Sequence, residues 1–153
     1  MTRHAAARRD EFPLFMTLAT RWSDNDAYGH VNNAIYHHYF DAAVNRLLIE
    51  GHALDPVSSV EIGLVVESTC TWFASLKYPD DVEIGLSLLR LGHSSVTYRL
   101  GAFAPHAPTS AALALYTHVY VNRHTSRPVR VPDAVRRVLA PLEITRTKTA
   151  QPQ

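Results

Sequence analysis

The hydrophobic period of this chain changes once and then changes back. Residues 14–22, LFMTLATRW, alternate: Leu14, Met16, Leu18 and Trp22 fall on one face, Thr17 and Arg21 on the other. A period of two predicts a strand. SDNDAYG follows as a turn-rich loop. From about Asn33 to Glu50 the period becomes helical. Tyr36, Tyr39, Phe40, Ala43, Val44 and Leu47 then share an arc of about 140°. His37, His38, Asp41 and Asn45 gather on another side, and Gly51 is the expected stop.

The period of two returns in four more segments. SVEIGLVVESTCTWFASL is long, and its alternation changes phase near Val65 and Val66, which predicts a bulge. After the KYPDD turn, VEIGLSLLRL puts Val82, Ile84, Leu86 and Leu88 on one face. SSVTYRLGAF presents Val96, Tyr98 and Leu100, and AALALYTHVYVN presents Leu113, Leu115, Val119 and Val121. PHAPTS between the last two suits a hairpin connection. PDAVRRVLAPL predicts a short C-terminal helix with Pro132 in its first turn. The order is strand, helix, then four strands with short links. Short links favour antiparallel pairing, so the expected class is α+β, one long helix packed on one antiparallel sheet.

Composition narrows this picture. The length of 153 residues suits one domain, expected at residues 13–141 between a loose basic tail, 1–12, and a C-terminal tail, 142–153. Fifteen basic residues against fourteen acidic leave no surplus to hold a nucleic-acid backbone. The single cysteine, Cys70, reads as a buried thiol in a strand. No apolar run reaches the roughly 20 residues of a membrane span. With no signal-peptide pattern at the start, the expectation is a cytoplasmic protein.

The chemistry is concentrated in DNDAYGHVNNAIYHHYF, residues 24–40. A helix start offers free N–H groups and the positive end of the dipole, which suit an oxygen that becomes anionic during a reaction. Asp26 lies just upstream on a loop that can fold across that mouth, and Gly29 permits a close approach or a positive φ. A carboxylate facing N–H donors beside a pocket fits acyl transfer to water. The plainer reading makes Asp24 and Asp26 turn residues and Asn32 a helix cap.

The whole stretch resembles the 4-hydroxybenzoyl-CoA thioesterase-like branch of the hotdog-fold superfamily. The matching residues are Arg21, Asp24, Asp26, Gly29, His30-Val31-Asn32-Asn33, Tyr36 and Tyr39-Phe40. The HVNN form looks most like acyl-CoA thioester hydrolases of the long-chain type, and like acyl carrier protein thioesterases. RLGHSSVTYRL and THVYVNR with RPVRVP resemble later strands of the same family, so the likeness covers roughly residues 14–140. It implies a curved five-stranded antiparallel sheet around one central helix, working as a homodimer or homotetramer. It implies hydrolysis of an acyl-CoA thioester to a free acid and CoA, with CoA as part of the substrate and no separate cofactor.

Carried over by resemblance, the catalytic carboxylate falls on Asp26 and the oxyanion donor on the N–H of Asn33. His30 and Asn32 become supporting catalytic residues, and Asp24 a structural partner of Arg21. Asp26 would attack the thioester directly or activate water. Glu67 is the substitute carboxylate, a role some relatives give to a strand or helix residue. Gly29, Tyr36, Arg90, His93, Ser94 and Ser95 are the expected substrate contacts, the last four at a turn suited to phosphate or the pantetheine arm. Arg123 and Arg127 are further candidates there. Two alternatives stay open: a carrier-protein thioester as substrate, or a domain that binds acyl-CoA without turnover. No metal is expected. His37 and His38 point about 100° apart on a helix, and His37 with Asp41 supplies too few ligands.

Overall fold

The structure is a computed structural model that describes residues 5–144. Its main elements are β1 (Leu14–Leu18), α1 (Ile35–Glu50), β2 (Glu61–Trp72), β3 (Val82–Leu91), β4 (Ser95–Phe103), β5 (Ala112–Asn122) and α2 (Asp133–Leu139). The strands form one antiparallel sheet in the order β1-β3-β4-β5-β2. The expected bulge in β2 is present as a register shift between Val65 and Glu67. A second shift, between Leu88 and Arg90 in β3, left no mark on the sequence period.

The core lies between α1 and one face of the sheet. Tyr36, Tyr39, Phe40, Ala43, Val44 and Leu48 of α1 are buried against Val82, Ile84, Leu86, Val96, Tyr98 and Leu100. Fully burying one such aliphatic or aromatic side chain contributes about 1.5–3 kcal/mol. Gly51 does end the helix, but at φ −80°, so left-handed backbone is not the reason for glycine. A Cβ there would sit 2.6 Å from Val138 Cγ2, so the missing side chain admits α2.

Three expectations need correction. Trp22 does not continue β1: it lies in a short 3-10 turn and is 79% exposed. The core face of β5 is the other one, formed by Ala112, Ala114, Tyr116, His118 and Tyr120, while Leu115 is 41% exposed. Small alanines opposite the bulky stripe of α1 outweigh the hydrophobicity of leucine. The first dozen residues are also not a loose tail where they are described. Phe12 is buried on the outer face of the sheet, in a dimple made by the paired Gly85 and Gly101. A Cβ on Gly85 would meet Phe12 Cγ at 2.7 Å. Arg99 lies 5.0 Å over the Phe12 ring, and Arg9 lies 4.8 Å over Phe15 while pairing with Glu83. At the other end, Leu142 is buried, and the expected tail beyond residue 144 lies outside the described residues.

Candidate active site

The loop into α1 is built as a small hairpin. Asn25 and Val31 form an antiparallel bridge, and the Asp26 N–H donates to the His30 carbonyl at 2.8 Å. The Gly29 N–H donates to the Asp26 carbonyl, closing a turn over residues 26–29. Gly29 has φ 77°, the left-handed conformation that glycine takes without strain. Asp26 opens the turn, and its Oδ1 accepts from the Tyr28 N–H at 2.8 Å and the His30 N–H at 3.4 Å. The turn role foreseen for this residue is therefore real. It occupies one carboxylate oxygen; Oδ2 meets no hydrogen-bond donor among the described residues.

Asp24, two residues earlier, has a different environment. Its side chain is only 1% exposed. It accepts from the Arg21 N–H at 2.8 Å, Arg21 Nε at 3.0 Å and the Tyr39 hydroxyl at 2.7 Å. Burial pushes its carboxyl up, but the bonds from Tyr39 and Arg21 outweigh burial and hold it below the usual carboxylate range. Burial, with the Asp24 carboxylate beside it, drives the Tyr39 hydroxyl far above the ordinary tyrosine value. This pairing ties the loop to the middle of α1.

The helix begins at Ile35, two residues after the expected Asn33, and Ala34 before it has no capping side chain. Asn32 caps the turn ahead of the helix: its Oδ1 accepts from the Ala34 N–H at 2.9 Å. The N–H of Asn33 meets no protein acceptor among the described residues.

A cleft of about 420 Å³ opens beside this loop. Asp26, His30, Asn33 and Tyr36 line it, which brings four predicted site residues together. The opposite wall is the segment after β2: Trp72, Phe73, Ala74 and Ser75. Two bonds hold the walls together. The Val31 N–H donates to the Leu76 carbonyl at 2.8 Å, and the Tyr78 N–H to Asn25 Oδ1 at 3.1 Å. Tyr28, Ala74 and Ser75 were not expected in the site. Tyr28 belongs to the loop itself; nothing local marks Ala74 and Ser75, because contacts of residues 25–31 with residues 76–78 bring them in. A second space of about 280 Å³ adjoins at His30 and Ser75 and runs to Lys77, Asp80 and Asp81.

Other expected site residues lie elsewhere. Asn32 does not line the cleft; its side chain is engaged as a cap. Gly29 shapes the loop without lining the cleft. Arg90, His93, Ser94 and Ser95 sit at the β3–β4 turn, and none lines the cleft within a single chain. The carbonyls of His93 and Ser94 accept from the N–H groups of Val131 and Tyr120. Arg123 donates from its two terminal nitrogens to the carbonyls of Val57 and Pro56. Glu67 is exposed at the β2 bulge. His37 Nδ1 lies 2.7 Å from Ser68 Oγ, and Asp41 accepts from the Tyr116 hydroxyl. Among the described residues, no three His, Cys, Asp or Glu side chains stand together as a metal site. The half-buried Cys70 thiol is pushed up to about 11 by burial, which leaves it unreactive. No helix among the described residues is long and apolar enough to cross a membrane.

Comparison with known proteins agrees with this geometry. The sequence profile of the Thioesterase-like superfamily matches residues 20–139. The crystal structure of the PA5185 protein from Pseudomonas aeruginosa strain PAO1 is 44% identical, with a TM-score of 0.89 over 91% of this chain and 97% of that one. The PA2801 protein of Pseudomonas aeruginosa is 26% identical, with a TM-score of 0.75 over 82% and 97%. A thioesterase from Thermus thermophilus, solved with coenzyme A and Zn, is 25% identical, with a TM-score of 0.68 over 87% and 96%. No relative was found among the curated proteins. The matches support thioester hydrolysis by this chain.

Proposed function

Because the chain belongs to the Thioesterase-like superfamily, we propose that it hydrolyses acyl-CoA thioesters, with Asp26 as the catalytic carboxylate. One observation carries this reading: Asp26, with one carboxylate oxygen lacking a protein partner among the described residues, and Asn33, with its backbone N–H likewise unpartnered, line the same cleft. The thioester carbonyl sits between them. Asp26 Oδ2 takes a proton from water, and the hydroxide adds to the carbonyl carbon. The resulting oxyanion accepts from the Asn33 N–H. Collapse breaks the C–S bond, releases the acid, and the CoA sulfur takes up the proton. Direct attack by the carboxylate gives a mixed anhydride instead, which water then cleaves to the same products. His30 lines both the cleft and the adjoining space and orients the water or thioester. The CoA-bound Thermus thioesterase supports coenzyme A as carrier.

We also infer a homodimer. β2 is a sheet edge twelve residues long, and Leu64, Val65 and Val66 on it are 46%, 46% and 61% exposed. Such an edge invites pairing with a second copy. Trp72 and Phe73 lie at the end of that strand, so a partner there stands beside the cleft. It would bring its own β3–β4 turn, with Arg90, His93, Ser94 and Ser95, to the substrate's phosphates.

The test is CoA release from short, long and aromatic acyl-CoAs by the native protein, with light scattering for mass. Release from at least one ester by a dimer or tetramer is the expected result. Release only from acyl carrier protein thioesters would change the carrier. Binding of acyl-CoA without any release would leave a binding domain and end the enzymatic reading.

A further inference from the structure

One side chain of the cleft wall also belongs to the buried core. Tyr36 lies in the first turn of α1, three positions after Asn33, which precedes the helix. Both line the cleft, yet Tyr36 is only 1% exposed. Its ring meets Trp72 edge-on, with centroids 6.0 Å apart and planes at 89°. Tyr39 is a second neighbour, 6.3 Å away between centroids. Tyr36 shares its core cluster with Phe40 and Ala43, both fully buried. Tyr36 therefore separates the cleft from the core, while the adjoining space at His30 and Ser75 leads to the charged Lys77, Asp80 and Asp81. The cleft's volume of about 420 Å³ lies toward the low end of the roughly 300–1,000 Å³ typical of small-molecule sites. That space must also hold the thioester group and the tip of the arm that carries it.

We propose that Tyr36, braced by Trp72, is the floor of the acyl subsite and restricts this protein to compact acyl groups, no longer than a single aromatic ring. This rests on the assignment of the Asp26–Asn33 cleft as a thioester site. A long chain cannot pass Tyr36 into the core without displacing a ring packed on Trp72 and Tyr39, and the adjoining space is lined by Lys77, Asp80 and Asp81, which suit no alkyl chain. A short chain or one flat ring rests against the Tyr36–Trp72 pair, whose indole is partly exposed. Apolar contact there favours the acyl group, while each further methylene meets packed core.

The experiment compares native protein, Tyr36→Leu and Trp72→Ala on a series of acyl-CoAs from butanoyl to hexadecanoyl, with benzoyl-CoA included. Calorimetric binding of the matching non-hydrolysable S-alkyl-CoA thioethers runs in parallel. Thermal melting confirms that each variant is folded. Trp72→Ala changes a side chain at the surface of the site and stands in if the buried Tyr36 substitution does not fold. The native protein is expected to lose at least tenfold in kcat/KM between the compact acyl groups and dodecanoyl. Tyr36→Leu should raise the long-to-short ratio at least tenfold, and Trp72→Ala severalfold. Native preference for hexadecanoyl-CoA would overturn the proposal, as would an unchanged ratio in both folded variants. The two readings separate cleanly. Thioether binding that depends on length and shifts in Tyr36→Leu, without turnover of any ester, would keep the floor and remove the hydrolase. Turnover indifferent to length would keep the hydrolase and remove the floor. No binding of any thioether would overturn both.

Discussion

Asp24 and Asp26 are two residues apart and belong to two halves of one loop, yet they face opposite physical problems. Asp24 is removed from water, and three donors compensate it: the Arg21 N–H, the Arg21 guanidinium and the Tyr39 hydroxyl. Its half of the loop is anchored to α1. Asp26 spends one oxygen on its own turn and keeps the other for the cleft. A buried acid needs compensation to exist at all. A reactive acid needs a lone pair left over. The loop alternates the two: the inward carboxylate is compensated, and the outward one keeps an oxygen for the proposed reaction.

The largest expected effect comes from breaking the second half. Asp26→Asn keeps an Oδ1 acceptor for the Tyr28 N–H, so the turn survives. CoA release should nevertheless fall about 10³-fold, or roughly 4 kcal/mol of barrier, with the melting temperature moving by less than about 2 °C. Persistent release would take the carboxylate out of the mechanism and bring Glu67 or His30 forward. Asp24→Ala should do the reverse. It strips a buried cluster of its acceptor, and the expected loss is about 3 kcal/mol of unfolding free energy, read by urea denaturation. Little of that comes from Arg21, whose side chain is 68% exposed and well solvated. A fully stable Asp24→Ala protein with no activity would invert the two roles.

The period of the sequence shows why the helix, the bulged strand and the polar loop were legible and other features were not. Asp-x-x-Gly before a helix is a local pattern, so the turn that holds Asp26 can be seen in the residues themselves. The buried face of β5 could not. Leu113 and Leu115 are more hydrophobic than the alanines that alternate with them. Only the aromatic stripe of α1, packed across the core, decides which set goes inside. The Phe12 dimple needs two glycines more than 70 positions away, Gly85 and Gly101, to be paired. The far wall of the cleft has the same origin: Trp72–Ser75 reach Asp26 through backbone bonds between distant segments. The local turn that holds the candidate carboxylate was readable in the sequence, and the shape of the cleft was not.

pH sharpens the contrast between compensated and uncompensated burial. His118 is buried beneath the sheet's tyrosines, and its Nδ1 has no partner among the described residues. Burial lowers its pKa from 6.5 to about 4, against a small opposing pull from Asp41. The unfolded chain therefore takes up the proton first. Stability should be full above pH 6.5 and fall by about 3 kcal/mol as pH drops toward about 4. Asp24 has the opposite kind of group and a lower window. Its folded pKa lies below 3.8, so its contribution is present above that pH and is lost as pH falls through the folded value. Melting curves from pH 8 downward should show the His118 loss first, with the Asp24 loss following below pH 3.8. His118→Gln should flatten the upper one and leave the lower in place. A profile unchanged by His118→Gln would assign the upper loss to other groups.

The smallest effect tests the hinge between the two halves and the helix. Asn32 offers its N–H to the Asp24 carbonyl at 2.9 Å and its Oδ1 to the Ala34 N–H at 2.9 Å. One bond reaches back to the anchored half, and the other starts the helix next to the free Asn33 N–H. Asn32→Ala keeps the backbone bond and deletes the cap, so about 1 kcal/mol of stability should be lost. Asn32→Asp keeps an acceptor oxygen and should recover most of it. Activity should follow the cap: a few-fold loss in Asn32→Ala, restored in Asn32→Asp. Loss of a hundredfold or more in both variants, with stability intact, would mean that the amide nitrogen handles the substrate. The dividing line would then move, placing Asn32 with Asp26 among the groups that do the chemistry rather than with Asp24 among those that hold it in place.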